Sequence, residues 1–515
     1  MGDNSGAFQR VVRNSTTRLQ KFANAAHRAI AATAVVQSGE LLSASRELHN
    51  ATTKVEHVLS ILVHYNEKYQ RVPPPSKRID KLPLEILGEI FHVWALTDQR
   101  SSNHRGRRIA PAFVAASVTR RWRDLAIDLA SIWRTVTLNF NALTDAVCFV
   151  ELMLARSKTC TLSKVTLQSV HTERSTFDVK NDLLVRLLAR ATEVNVEWVG
   201  RAPVNIAHPI LAAFQAPLPA LNALKFSSNG AIRQSEWVRG AKLLTLAPNI
   251  ESLELATVQF NFIDITTLPH LRSISLARNI DEAQLRSLTT CAHLVHLDLG
   301  KTRSSVVVTG SPLCFPHLET LVCREGVMPA FESPASVPRL HTLRWNSGDF
   351  AGPLARFLQN GPCTTLKTLI LGGSDTYAEP EGIDLLFSNV FPALPNVTTL
   401  QFEDSADMAG FFISWRDDAH GALLGTFPKL STLRFVYTMM DNHALAALVT
   451  FLAQRREAQE QAATPQVIID ELVVRHTGVF DVLNGYLFPA WMLPRLSQLV
   501  KHVTLDFHPP CALIK

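Results

Sequence analysis

One octapeptide pattern, P-x-L-x-x-L-x-L, returns along most of the chain and constrains the fold more than any other feature. Copies read PALNALKF (219–226), PNIESLEL (248–255), PHLRSISL (269–276), PHLETLVC (316–323), PRLHTLRW (338–345), PNVTTLQF (395–402) and PKLSTLRF (428–435). CAHLVHLDL (291–299) and TTLKTLIL (364–371) keep the beat without the proline in place, and weaker copies stand at 132–138, 161–167, 191–198, 467–474 and 499–507. Aligning the middle apolar residue gives Val136, Val165, Val194, Leu224, Leu253, Ile274, Leu297, Leu321, Leu343, Leu369, Leu400, Leu433, Leu472 and Val503. Most steps between them are about 21 to 33 residues, the period of an array of stacked units.

In L-x-x-L-x-L the last two apolar residues alternate, so both point to one side of a short strand, and the earlier leucine fills the turn that leads into it. Helical patterns such as DAVCFVELMLAR, NDLLVRLLAR and GALLGTF lie between strands. Each strand–helix unit hides its apolar face only by stacking on the next. The expected fold is therefore α/β, a solenoid of parallel strands with helices over 136–510. The x positions, including Asn222, Lys225, Glu251, Glu254, Arg272, His296, Asp298, Glu319, His341, Arg344, Lys367, Gln401 and Arg434, are expected to face outward with mixed charge. Long steps after Leu369, Leu400 and Leu433 imply inserts, at GGSDTYAEPEG, EDSADMAGFFISWRDDAH and AQRREAQEQAATPQ, and loops of this kind often carry specificity.

Residues 76–135 read differently. Asp80 is placed to cap a helix, and Pro83 sits early in it, where a missing N–H costs nothing. Leu82, Ile86, Leu87, Ile90 and Phe91 then recur at three-to-four spacing, which predicts a short amphipathic helix. After an Arg-rich gap holding Arg100, Arg105, Arg107 and Arg108, FVAASVTRRWRDLAIDLASIW predicts a second amphipathic stretch, with Phe113, Val114, Val118, Trp122, Leu125 and Leu129 on its apolar side. So many large apolar residues in so few positions exceed what a unit of this size hides alone. Part of that surface is expected to face the rest of the chain or a partner.

This stretch resembles an F-box, in the form found in fungal F-box proteins with C-terminal leucine-rich repeats. Leu82, Pro83, Glu85, Ile86, Leu87, Ile90 and Phe91 match L-P-x-E-[IL]-L followed by [IL]-F. Val118, Arg120, Trp122, Arg123, Leu125 and Ala126, then Ile132-Trp133, match the second motif; Thr119 departs from it, standing where the family usually has Cys. The downstream octapeptides resemble leucine-rich repeats that have lost the usual Asn after the strand. The resemblance implies a non-catalytic adaptor of an SCF-type (Skp1–cullin–F-box) ubiquitin ligase. Leu82, Pro83, Glu85, Ile86, Leu87, Ile90, Val118 and Trp122 would bind a Skp1-like adaptor, and through it a cullin, while the repeats hold a target protein. The alternative is a protein-interaction scaffold outside any ligase.

Upstream, Leu41, Leu48, Val55, Leu62 and Tyr69 recur every seventh residue, with Ala44, Ala51, Val58 and Tyr65 three residues on, before Pro73-Pro74-Pro75. This predicts a helical segment within 1–75, read either as a coiled coil for association or as a helix packed on its own protein. A net charge of +6 on 515 residues is mild and does not argue for nucleic acid; the Arg100–Arg108 cluster has no interleaved aromatics. Seven cysteines are scattered without a C-x-x-C pair, which fits a reducing, cytoplasmic or nuclear setting. No apolar run approaches the ~18 residues of a membrane span. No G-x-S-x-G, H-E-x-x-H, P-loop or G-x-G-x-x-G occurs, so no cofactor or active site is expected. The Cys291/His293 and Cys314/His317 pairs have no second pair nearby and are not expected to bind metal.

Overall fold

A computed structural model gives the architecture. It describes residues 82–506 except 101–110, 141–145, 171–180, 200–209, 229–241, 257–262, 278–279, 301–312, 325–326, 328–329, 332–333, 347–351, 361–362, 373–389, 404–426, 437, 439–441, 462–468 and 476–491. The expected N-terminal helical segment, Arg105 to Arg108, GALLGTF apart from Phe427, and most of the first two inserts lie outside the described residues.

Three helices come first: α1 (Leu84–Arg100), α2 (Pro111–Val118) and α3 (Arg120–Asp128), then a 3-10 turn at Ala130–Trp133. Helix α1 has 17 residues and is longer than its apolar pattern suggested, taking in part of the expected gap. The second amphipathic stretch is two helices, and the break is chemical. Thr119 is extended at φ −142, and its hydroxyl accepts a hydrogen bond from the Trp122 N–H, capping α3.

The strands follow: β1 (Thr135–Asn139), β2 (Lys164–Val170), β3 (Glu193–Val199), β4 (Ala223–Ser228), β5 (Ser252–Leu255), β6 (Ser273–Leu276), β7 (His296–Asp298), β8 (Thr320–Cys323), β9 (Thr342–Asn346), β10 (Thr368–Gly372), β11 (Thr399–Glu403), β12 (Thr432–Val436), β13 (Glu471–Arg475) and β14 (His502–Asp506). They form one 14-stranded parallel sheet in sequence order. Between strands lie α4 (Ala146–Arg156), α5 (Asn181–Leu188), α6 (Glu282–Leu288), α7 (Gly352–Gln359), α8 (Asn442–Gln461) and α9 (Met492–Leu499), with 3-10 turns in several other connections. The third expected insert, AQRREAQEQAATPQ, is no loop over most of its length, because α8 runs through it to Gln461. Arg455, in that helix, is buried and donates to the Phe427 carbonyl at 2.8 Å.

Register is set by the repeat. Val136 pairs with Val165, Val165 with Val194, and so on through all fourteen aligned residues to Leu472 with Val503. From Val136 to Leu472 each is almost wholly buried, whereas Val503 on the last strand is only partly so. A buried leucine or valine stabilises by roughly 1.5–3 kcal/mol, so a one-residue slip of any strand would expose its inward pair at that cost each.

The proline has a local task. In Leu218–Leu221, Leu268–Leu271, Phe315–Leu318, Val337–Leu340, Leu394–Val397 and Phe427–Leu430 the last N–H donates to the first carbonyl. Pro219, Pro269, Pro316, Pro338, Pro395 and Pro428 are therefore second residues of β-turns, where the fixed φ of proline is already correct. The third turn residue is thrown outward, and the fourth drops into the core ahead of the strand.

A single hydrophobic cluster runs from Phe91 to Val500 and joins the helical unit to the sheet. Phe113 meets Trp133 edge-on at 5.1 Å and stacks on Phe149 of α4 at 5.7 Å. The Trp133 indole N–H donates to the Ala126 carbonyl at 2.6 Å, so the joint buries no unpaired polar group at that ring.

Candidate functional site

Two surfaces stand out. The first is the helical unit. Its two motif halves meet where the Arg121 guanidinium donates to the Leu82 carbonyl at 2.8 Å. Trp122 meets Phe91 edge-on at 5.0 Å, and the middle of helix α1 is thereby packed against α3. The expected contact residues do not share one environment. Leu87 has no exposed surface and Phe91 almost none, so both belong to the core of the unit. Leu82, Pro83, Ile86, Ile90 and Trp122 are half-buried, and Glu85 is exposed. Val118 is 51% exposed at the end of α2. Two residues that motif reading passed over, Leu84 and Val93, are also about half exposed. Together these are three of the four large apolar side chains left exposed among the described residues, the fourth being Leu246. The Trp122 indole N–H is buried without a hydrogen-bond partner.

The second surface is the outward face of the sheet. The x residues expected there are all exposed or half-buried. Lys164 pairs with Glu193 and Lys225 with Glu254, each at 2.6 Å, and Arg434 lies 3.5 Å from Glu471. Asn195 donates to Glu197, which also accepts from Gln168. The face is largely self-neutralised.

Its middle is pre-arranged around Asn346. Arg344 Nε donates to Asn346 Oδ1 at 3.1 Å, and Arg324 Nε donates to the Asn346 carbonyl at 2.8 Å. Gly372 lies between Asn346 and Glu403 in register, and a Cβ there would stand 2.8 Å from Asn346 Oδ1. The bare position lets Arg344 reach over β10 to Glu403 at 2.5 Å. Gly300 likewise leaves room for the Asn346 side-chain amide. Beside it Asp298 accepts from Ser275 and from the Gly300 N–H, and its charge adds to burial in pushing the neighbouring Cys323 thiol well up from its ordinary range. Two glycines three residues past the aligned core residue, a position that elsewhere carries Asn139, Gln168, Glu197 or Glu403, were the one sequence sign of this cluster.

Among the described residues no group of three or more His, Cys, Asp and Glu is arranged to hold a metal ion, and no helix is long and apolar enough to cross a membrane. Cys291 is buried and Cys314 exposed, in different units.

No protein-family model matches the chain, and no curated protein does. A solved structure of a Bacteroides fragilis protein is similar over 64% of this chain and 72% of that one, at 13% identity and a TM-score of 0.26, too slight a likeness to carry any inference.

Proposed function

We propose that this chain is a substrate-receptor subunit of an SCF-type ubiquitin ligase, with residues 76–135 as its F-box and the sheet as a leucine-rich-repeat solenoid. The F-box docks a Skp1-like adaptor and through it a cullin. The polar face of the solenoid holds a target protein. The subunit itself does no chemistry. It raises the local concentration of a target lysine at a charged ubiquitin carrier, which is how tethering accelerates a bimolecular step. Such a complex works in the cytoplasm or nucleus.

The observation that carries this reading is the contact of Arg121 with the Leu82 carbonyl, because it joins the two halves of the motif across 39 residues of sequence. Exposed Leu84, Val93 and Val118 support it, since apolar side chains kept in water at a small helical unit suit a partner surface.

Co-purification tests the reading. Val118→Asp changes an exposed position and should leave the melting temperature unchanged while the Skp1-like adaptor is lost. A folded Val118→Asp, Leu84→Asp double variant that still captures the adaptor in full overturns the assignment. Adaptor without cullin in the wild-type complex points instead to a scaffold outside the ligase.

A further inference from the structure

We propose that the row of turns leading into β6–β10 docks an extended acidic segment of a partner protein. At the third position of four consecutive turns stand His270, His293, His317 and Arg339, all exposed. Two residues before the aligned core residue of β6 and of β10 stand Arg272 and Lys367, also exposed. Between these two positions Leu271, Leu294, Leu318, Leu340 and Leu366 are buried, and their neighbours on either side are exposed or half-buried.

The row is held regular by the backbone. The N–H groups of Val295 and His296 both donate to the Arg272 carbonyl, those of Glu319 and Thr320 to Val295, those of His341 and Thr342 to Glu319, and those of Lys367 and Thr368 to His341. Equivalent side chains therefore recur at the strand spacing of roughly 4.8 Å, a span of about 20 Å from the first turn to the last.

Charge decides what fits. Arg272, Arg339 and Lys367 are the basic residues, and Glu319 is the one carboxylate at these two positions from β6 to β10. None of the six side chains named above makes a hydrogen bond or ion pair among the described residues, in contrast to the self-paired face beside them. Unspent cations flanked by imidazole donors are complementary to a string of carboxylates. A nucleic acid fits less well, for three cations neutralise few phosphates and no Phe, Tyr or Trp stands at these positions for bases to stack on. Under the receptor reading the acidic segment belongs to the target, but the surface stands without that reading, and its test uses no adaptor.

The probe is a short fluorescein-labelled oligoglutamate peptide, titrated into the full chain and followed by anisotropy. Saturable binding is expected, weakening about tenfold or more in Arg272→Glu/Arg339→Glu/Lys367→Glu and on raising salt, with Arg120→Glu on α3 as an unaffected control. Arg339→Gln alone should weaken it about two- to threefold, which keeps the test usable if the triple variant loses its circular-dichroism melt. Wild-type affinity in either variant overturns the proposal. So does an oligolysine peptide that binds equally well, or a single-stranded oligonucleotide that displaces the peptide at lower concentration than unlabelled peptide.

Discussion

The guanidinium of Arg121 donates to the main-chain carbonyl of Leu82, 2.8 Å away and 39 residues earlier. A bond from a charged donor to a carbonyl at a helix start fixes where α1 begins relative to α3. Arg121→Ala should destabilise the chain by about 1.5–3 kcal/mol in urea unfolding, and Arg121→Lys should recover only part, since an ammonium lacks the reach and shape of the fork. Unchanged stability in Arg121→Ala would show the bond to be idle in solution.

Thr119 separates α2 from α3 by accepting from the Trp122 N–H at 3.2 Å. Thr119→Ala should cost about 1 kcal/mol, and Thr119→Ser should cost little, as read from thermal melts. Cys at this position has a weaker acceptor, so Thr119→Cys should fall nearer to Ala than to Ser.

Gly372 and Asn346 are coupled by shape. Gly372→Ala puts a methyl 2.8 Å from Asn346 Oδ1 and should cost about 1–3 kcal/mol by displacing the amide and the Arg344 side chain it holds. In an Asn346→Ala background the same change should be nearly neutral. A double-mutant cycle measures this, and simple additivity of the two costs would contradict the shared space.

Burial pushes the Cys291 thiol up from 9.0 to about 11, and it pushes Cys323 and Cys363 up as well. All three stay neutral longer in the folded chain than in the unfolded one. Their contribution is fully present below pH 9 and is lost as pH rises toward and beyond 11, so the urea midpoint should drop across that window. Cys291→Ala/Cys323→Ala should flatten the drop. Exposed Cys314 should react with a thiol reagent in the native state, and buried Cys323 only after unfolding.

Leu87 and Val118 differ most clearly within the motif. Leu87→Ala should cost about 2–5 kcal/mol, the price of a cavity, whereas Val118→Ala should fall within about 0.5 kcal/mol of wild type. Equal costs in chemical denaturation would mean that the burial of the two is not as described.

The motif alone did not separate these two. Both are apolar residues at amphipathic spacing, and spacing says which residues share a helix face without saying what covers that face. The same limit applied at Thr119, where apolar residues kept helical phase across a break that only a capping hydroxyl explains. It applied at AQRREAQEQAATPQ, whose polar composition suits an exposed helix as well as a loop.

The sheet was legible almost residue by residue. A recurring leucine names the inward side of each strand, and stacking like units leaves one register that hides these residues, the one on the last strand only in part, so Val136 to Val503 align in the fold as they do in the sequence. What sequence left open was decided by contacts between units. That Arg344 crosses β10 to Glu403, that Asn346 rests over Gly300 and Gly372, and that four turns line up His270, His293, His317 and Arg339 depend on which units become neighbours and how closely they approach. Periodicity is a property of one unit and is written locally; a surface spanning several units exists only once their spacing has been fixed by the packed core beneath.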